Sequence, residues 1–182
     1  WPILAEDNLF DVVDRLTSLG QLVLASNAIK IAEDWLGRLS PNTTSEPYWL
    51  RERSMVFEQR GYVQREQGDL CAAQASLEQG HALRAQLAAA NPEDAKRQCE
   101  LARSFTSLGR LQREQGYLSA AQTSYEQCRS IGTKLTALDP CDREVQRVLA
   151  DGLLGLGGLQ FEQGELAAAQ GSFVQCHTIG AQ

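Results

Sequence analysis

The chain has 182 residues, 43% hydrophobic and 22% charged, with a formal net charge of −6. That composition excludes a disordered tail, and no apolar run approaches the ~20 residues needed to cross a bilayer, so no membrane role is expected. The acid excess argues against nucleic-acid binding, which needs a basic surface to neutralise phosphates.

The N-terminus lacks the basic segment and apolar run of a signal peptide. The chain starts at Trp1 rather than Met, as an excised or processed fragment would. Five cysteines, at 71, 99, 128, 141 and 176, are odd in number and never closely paired. This fits a reducing, cytoplasmic setting rather than a disulfide framework. Asn42-Thr43-Thr44 matches the glycosylation sequon, but without a secretion signal its expected use is turn and helix-start chemistry.

In chain order, residues 5–26 place Leu9, Val12, Val13, Leu16, Leu19, Val23 and Leu24 at steps of three, four and seven, one face of a helix. A second helix is expected from Ala28 to Leu39, with Asn27 at the turn. The stretch Ser40-Pro41-Asn42-Thr43-Thr44-Ser45-Glu46-Pro47 is the strongest break, dense in turn and cap formers. A long helix from Pro47 to about Gln67 follows, then a turn at Gly68-Asp69 and a helix from Leu70 to Ala90. Asn91-Pro92-Glu93-Asp94 stops that helix and starts the next. The same grammar gives a helix to Gln115, a turn at Gly116, a helix to Leu138 and a break at Asp139-Pro140-Cys141-Asp142. It then gives a helix to Gln163, a turn at Gly164 and a last helix. No strand signal appears.

The chain repeats itself. Glu114-Gln115-Gly116-Tyr117-Leu118-Ser119-Ala120-Ala121-Gln122 has its counterpart forty-eight residues earlier in Glu66-Gln67-Gly68-Asp69-Leu70-Cys71-Ala72-Ala73-Gln74. A third copy, Glu162-Gln163-Gly164-Glu165-Leu166-Ala167-Ala168-Ala169-Gln170, lies forty-eight residues later. A fixed period marks a repeat array. Paired alanines let the second helix of each hairpin approach the first, and Leu77, Tyr125 and Phe173 put a bulky group one turn on. Such a hairpin cannot bury its apolar face alone, so neighbours must stack.

These residues resemble the tetratricopeptide repeat (TPR). Its pattern reads here as Phe105, Leu108-Gly109, Ala121 and Tyr125, and again as Leu153, Leu156-Gly157, Ala169 and Phe173. It is weaker as Phe57, Arg60-Gly61, Ala73 and Leu77, and weakest at the front as Leu16, Leu19-Gly20 and Ala32, with Asn27 for the turn glycine. Gln64, Gln112 and Gln160 replace a frequent aromatic, and the period is 48 rather than about 34. Seven extra residues per helix keep the inward face inward, so helices of roughly 20–23 residues are expected. The resemblance implies an all-α, right-handed α-solenoid of about eight helices in antiparallel pairs. One repeat domain, 1–182, would comprise a degenerate pair at 1–44 and units at 45–92, 93–140 and 141–182.

In that family the first helix of each pair lines a concave surface where peptides lie. Carried over, the partner-binding stripe is Arg51, Met55, Glu58, Tyr62 and Arg65, then Cys99, Arg103, Thr106, Arg110 and Arg113, then Arg147, Asp151, Leu154, Gly158 and Phe161. The middle set holds three arginines and no acid, which suits an acidic segment or chain terminus held bidentately. Arg60 stands where other units have Leu108 and Leu156, so it must reach solvent or pair with an acid.

No catalytic site, metal or cofactor is expected. Cys128 and Cys176 occupy equivalent positions and read as small packing residues. Cys176 and His177 point about 100° apart on a helix, a poor start for zinc or a catalytic pair. The Glu66, Glu114 and Glu162 series reads as repeat grammar. The expected function is a non-enzymatic protein-interaction scaffold, with self-association through an uncapped last helix as a further expectation. The alternative is a sensing, autoinhibitory or oligomerisation segment of a larger signalling enzyme.

Overall fold

The computed structural model describes residues 9–39 and 46–180. They form eight helices: α1 (Leu9–Ser18), α2 (Leu22–Leu39), α3 (Pro47–Glu66), α4 (Leu70–Ala90), α5 (Ala95–Glu114), α6 (Leu118–Leu138), α7 (Arg143–Glu162) and α8 (Leu166–Gly180). No strand occurs among the described residues, so the protein is all-α. Most of the expected 40–47 loop, the Asn42 sequon and the start of the first helix at residue 5 lie outside the described residues. The chain divides into two compact units, one ending at Leu87 and one beginning at Ala88.

The long helices α3 to α7 are 20 or 21 residues each, within the expected range of 20–23. Their starts follow from local chemistry. Pro47 sits in the first turn of α3, where its missing N–H costs nothing. Asp94 accepts from the Arg97 N–H, and Asp142 accepts from the Glu144 and Val145 N–H groups. These carboxylates satisfy donors that a helix start leaves open.

The helix ends obey one rule. Gly20, Gly68, Gly116 and Gly164 have φ of 72°, 82°, 80° and 79°, a region where only glycine avoids a Cβ penalty. Each donates to the carbonyl three residues back, while the next residue donates to the carbonyl five back. In the first turn these are Gly20 to Thr17 at 2.9 Å and Gln21 to Leu16 at 2.8 Å. The other three turns repeat both bonds, a glycine-terminated helix end that satisfies orphan carbonyls.

This corrects the front of the chain. The first turn is at Gly20, forty-eight residues before Gly68, and Asn27 lies inside α2. The front copy is therefore displaced by seven residues from the expected alignment. Val12-Val13 stand where Leu19-Gly20 were expected, and Ala25 takes the place expected for Ala32. Ala25 is fully buried, as are its counterparts Ala73 and Ala121.

In the first unit, Val13, Ala25, Ile29, Ala32, Leu36, Val56 and Val63 join α1, α2 and α3 in one core. Arg60 takes the acid-paired option. Its guanidinium reaches Glu33 at 2.8 Å, Ser76 at 3.0 Å and Gln79 at 3.1 Å, and it stacks over Phe57. One side chain thus ties α2, α3 and α4 together.

In the second unit, Tyr125 on α6 is the central wedge. A Cβ on Gly109 of α5 would lie 2.9 Å from its ring, and one on Gly155 of α7 would lie 2.3 Å from it. Glycine on both flanks lets an aromatic pass between two helices. Ala121, Leu156 and Leu159 complete this cluster. A second cluster, Cys99, Ala102, Cys128, Leu135, Val145 and Val148, lies along the same three helices.

Candidate interaction surface

The eight candidate binding residues fall in two units. Arg51, Tyr62 and Arg65 belong to the unit ending at Leu87; Arg103, Thr106, Arg110, Arg113 and Arg147 belong to the other. On α3, Arg65 stacks over the Tyr62 ring at 4.9 Å and pairs with Glu66 at 2.6 Å. Arg51 lies 3.7 Å from the carboxylate of Glu52, itself buried. These three side chains are therefore engaged with their own helix.

Thr106 is not on the surface. It is buried, and its hydroxyl donates to Cys128 Sγ at 3.1 Å, whose thiol donates to the Val148 carbonyl at 3.4 Å. Cys99, expected in the same stripe, is buried in the core. Helical spacing put both on the arginine side of α5, but α6 and α7 close over that edge of the helix.

What remains is a row shared by α5 and α7, which touch directly. Arg103 pairs with Glu144 across the two helices. Arg113 Nε lies 3.8 Å from the Glu162 carboxylate, and its Nη1 would be 3.0 Å from a Cβ on Gly158. The missing side chain at Gly158 lets the guanidinium lie across α7. Arg110 and Arg147 are exposed and make no ion pair among the described residues. Asp151 and Arg110 act with opposite sign on the Cys128 thiol. Arg103, Arg110 and Arg113 of α5 thus lie beside a helix that carries Glu144, Asp151 and Glu162 as well as Arg147. The arginine row of α5 carries no acid of its own, but α7 supplies several. Sequence reasoning left Glu144 and Glu162 out of the site; their signal was their place on α7, three residues before Arg147 and four after Gly158.

The ionisable groups beneath this face are held neutral. Burial, then the negative charges of Glu144 and Asp142, pushes the Cys99 thiol up to about 11. Burial likewise raises the Cys128 thiol and the Tyr125 phenol. None is poised as a nucleophile, which requires a depressed pKa and access. Among the described residues no three His, Cys, Asp or Glu side chains gather as metal ligands, and no helix is long and apolar enough to cross a membrane.

No protein-family model matches the chain, and no curated relative was found. A solved structure, described as BtubC (BKLC) from P. vanneervenii, is similar at 14% identity with a TM-score of 0.41, covering 93% of this chain and 77% of that one.

Proposed function

We propose that this protein is a TPR-like, cytoplasmic, non-enzymatic interaction module whose α5–α7 face holds an acidic peptide segment of a protein partner. The supporting observation is Arg110, exposed and without an ion partner among the described residues, on the same helix face as Arg103 and Arg113. A guanidinium held on a rigid helix offers a planar fork to a carboxylate at little entropic cost. Arg147 extends the row onto α7. An incoming acid competes with Glu144 and Glu162 for Arg103 and Arg113, so the partner's carboxylates replace intramolecular ones.

The test is fluorescence anisotropy with short acidic peptides carrying free C-terminal carboxylates, alongside lysine-substituted counterparts. Acidic peptides should bind, more weakly as salt rises. Arg110→Glu with Arg147→Glu should weaken binding at least about tenfold, the effect of reversing two charges against a carboxylate ligand, without changing helix content. Equal affinity in that double variant, or equal binding of the lysine counterparts, would refute the reading.

A further inference from the structure

Helices α6 and α8 carry equivalent faces in different surroundings. On α6, the face formed by Leu118, Ala121 and Tyr125 is covered by Gly155, Leu156 and Leu159 of α7. One period later, on α8, the same positions are Leu166, Ala169 and Phe173. Phe173 lies against Gly157 of its own hairpin, with a Cβ there 2.6 Å from the ring, as Tyr125 lies against Gly109. It holds the same pose, but no described residue covers its other side as α7 covers Tyr125: Tyr125 is 1% exposed and Phe173 39%. Leu166 is 62% exposed, and Phe161 and Val174 beside it are 63% and 57% exposed. Together they form a groove of about 590 Å³.

We propose that this groove is a docking site for one amphipathic helix of the α7 kind. Such a helix presents a small residue to Phe173 and leucines one and four positions after it. The occupant's chemistry is written in the chain itself, because α7 makes this contact to α6; in α3, which packs on α2, Val63 stands at the place of Leu159 and Arg60 at that of Leu156. The site is continuous with that internal interface. The first helix of a second copy does not fit. α1 carries Asp11 and Arg15, both exposed, where α7 has Gly155 and Leu159. The inference is independent of the α5–α7 arginine face.

A labelled peptide of this chain's residues 143–162 serves as the probe, titrated with the full chain. Saturable binding is expected, weakened at least about tenfold by Leu166→Glu, which puts a charge where the counterpart Leu118 packs against α7 but alters only an exposed residue of the free protein. The peptide bearing Leu156→Glu and Leu159→Glu should not bind. Phe173→Glu is a second variant, interpreted only if its helix content is retained. Absence of binding, binding indifferent to Leu166→Glu, or a chain dimer by light scattering that Leu166→Glu dissociates would each overturn the proposal. The last result would mean that a second copy's α8 occupies the groove.

Discussion

The Ser124 hydroxyl donates to Gln112 Oε1 at 2.7 Å, bridging α6 to α5 inside the hairpin. The same bond recurs from Ser76 to Gln64 at 2.7 Å and from Ser172 to Gln160 at 2.8 Å. Gln64, Gln112 and Gln160 therefore have a shared purpose: each pairs with a serine on the facing helix, and Ser76, Ser124 and Ser172 are all buried. A buried side chain must find its partner inside the protein. Removing one partner strands the other, so Gln112→Ala should cost about 1–2 kcal/mol in urea unfolding. The cycle with Ser124→Ala should show a coupling of about 0.5 kcal/mol or more between the two positions. Strict additivity would mean the bond contributes nothing.

The same Gly→Ala change should have opposite effects at two positions, one beside Tyr125 and one in open space. Gly155→Ala places a methyl 2.3 Å from the Tyr125 ring, and Gly109 on the far side blocks its retreat. Overpacking of this kind costs about 1–3 kcal/mol. Gly171→Ala, in α8 with nothing within 4 Å, should instead stabilise by up to about 1 kcal/mol through helix propensity. Thermal denaturation of the two variants reads both signs.

Arg60 predicts a salt-sensitive loss. Its bond to Glu33 joins groups about one-third exposed, so screening limits what the ion pair contributes. Arg60→Ala should cost about 1 kcal/mol, shared among the Glu33, Ser76 and Gln79 contacts and packing on Phe57. The difference from the parent protein should shrink as salt is added.

The thiols predict both reactivity and pH dependence. Cys71 and Cys141 are exposed, whereas Cys99 and Cys128 are buried. A disulfide reagent at mild alkaline pH should modify the first two rapidly and the buried pair only on unfolding. Cys99 is raised from 9.0 to about 11 in the fold, so the unfolded chain loses its proton first. Its contribution to stability is intact below about pH 9 and falls as pH rises towards about 11, at up to about 1.4 kcal/mol per pH unit. Urea midpoints across that range should decline, and less steeply in Cys99→Ala.

The three rear turns were legible because glycine, the acidic caps and the proline breaks all recur at one interval. The front turn was not, for a physical reason. Seven residues are close to two helical turns, so shifting α1 by seven leaves its apolar face almost unchanged. Leu19-Gly20 then imitates the Leu-Gly pair at 108–109. The interval from Gly20 to Gly68 held the answer, because a positive-φ glycine cannot slide along a helix as an apolar stripe can. At the candidate site, periodicity placed Arg103, Arg110 and Arg113 on one face but said nothing about what lay opposite. The pairing of Arg103 with Glu144 and the burial of Thr106 against Cys128 depend on how α6 and α7 seat against α5. No single-helix pattern carries that register.

The most direct measurement is the affinity of an acidic peptide for two variants altered in opposite directions on the α5–α7 face. Glu144→Gln with Glu162→Gln releases Arg103 and Arg113 from their intramolecular partners and should tighten binding roughly three- to tenfold, the scale of an interhelical charge pair. Arg110→Glu with Arg147→Glu should weaken it at least about tenfold. If both variants bind as the parent protein does, or both shift affinity in the same direction, acidic partners are not held by this row of arginines.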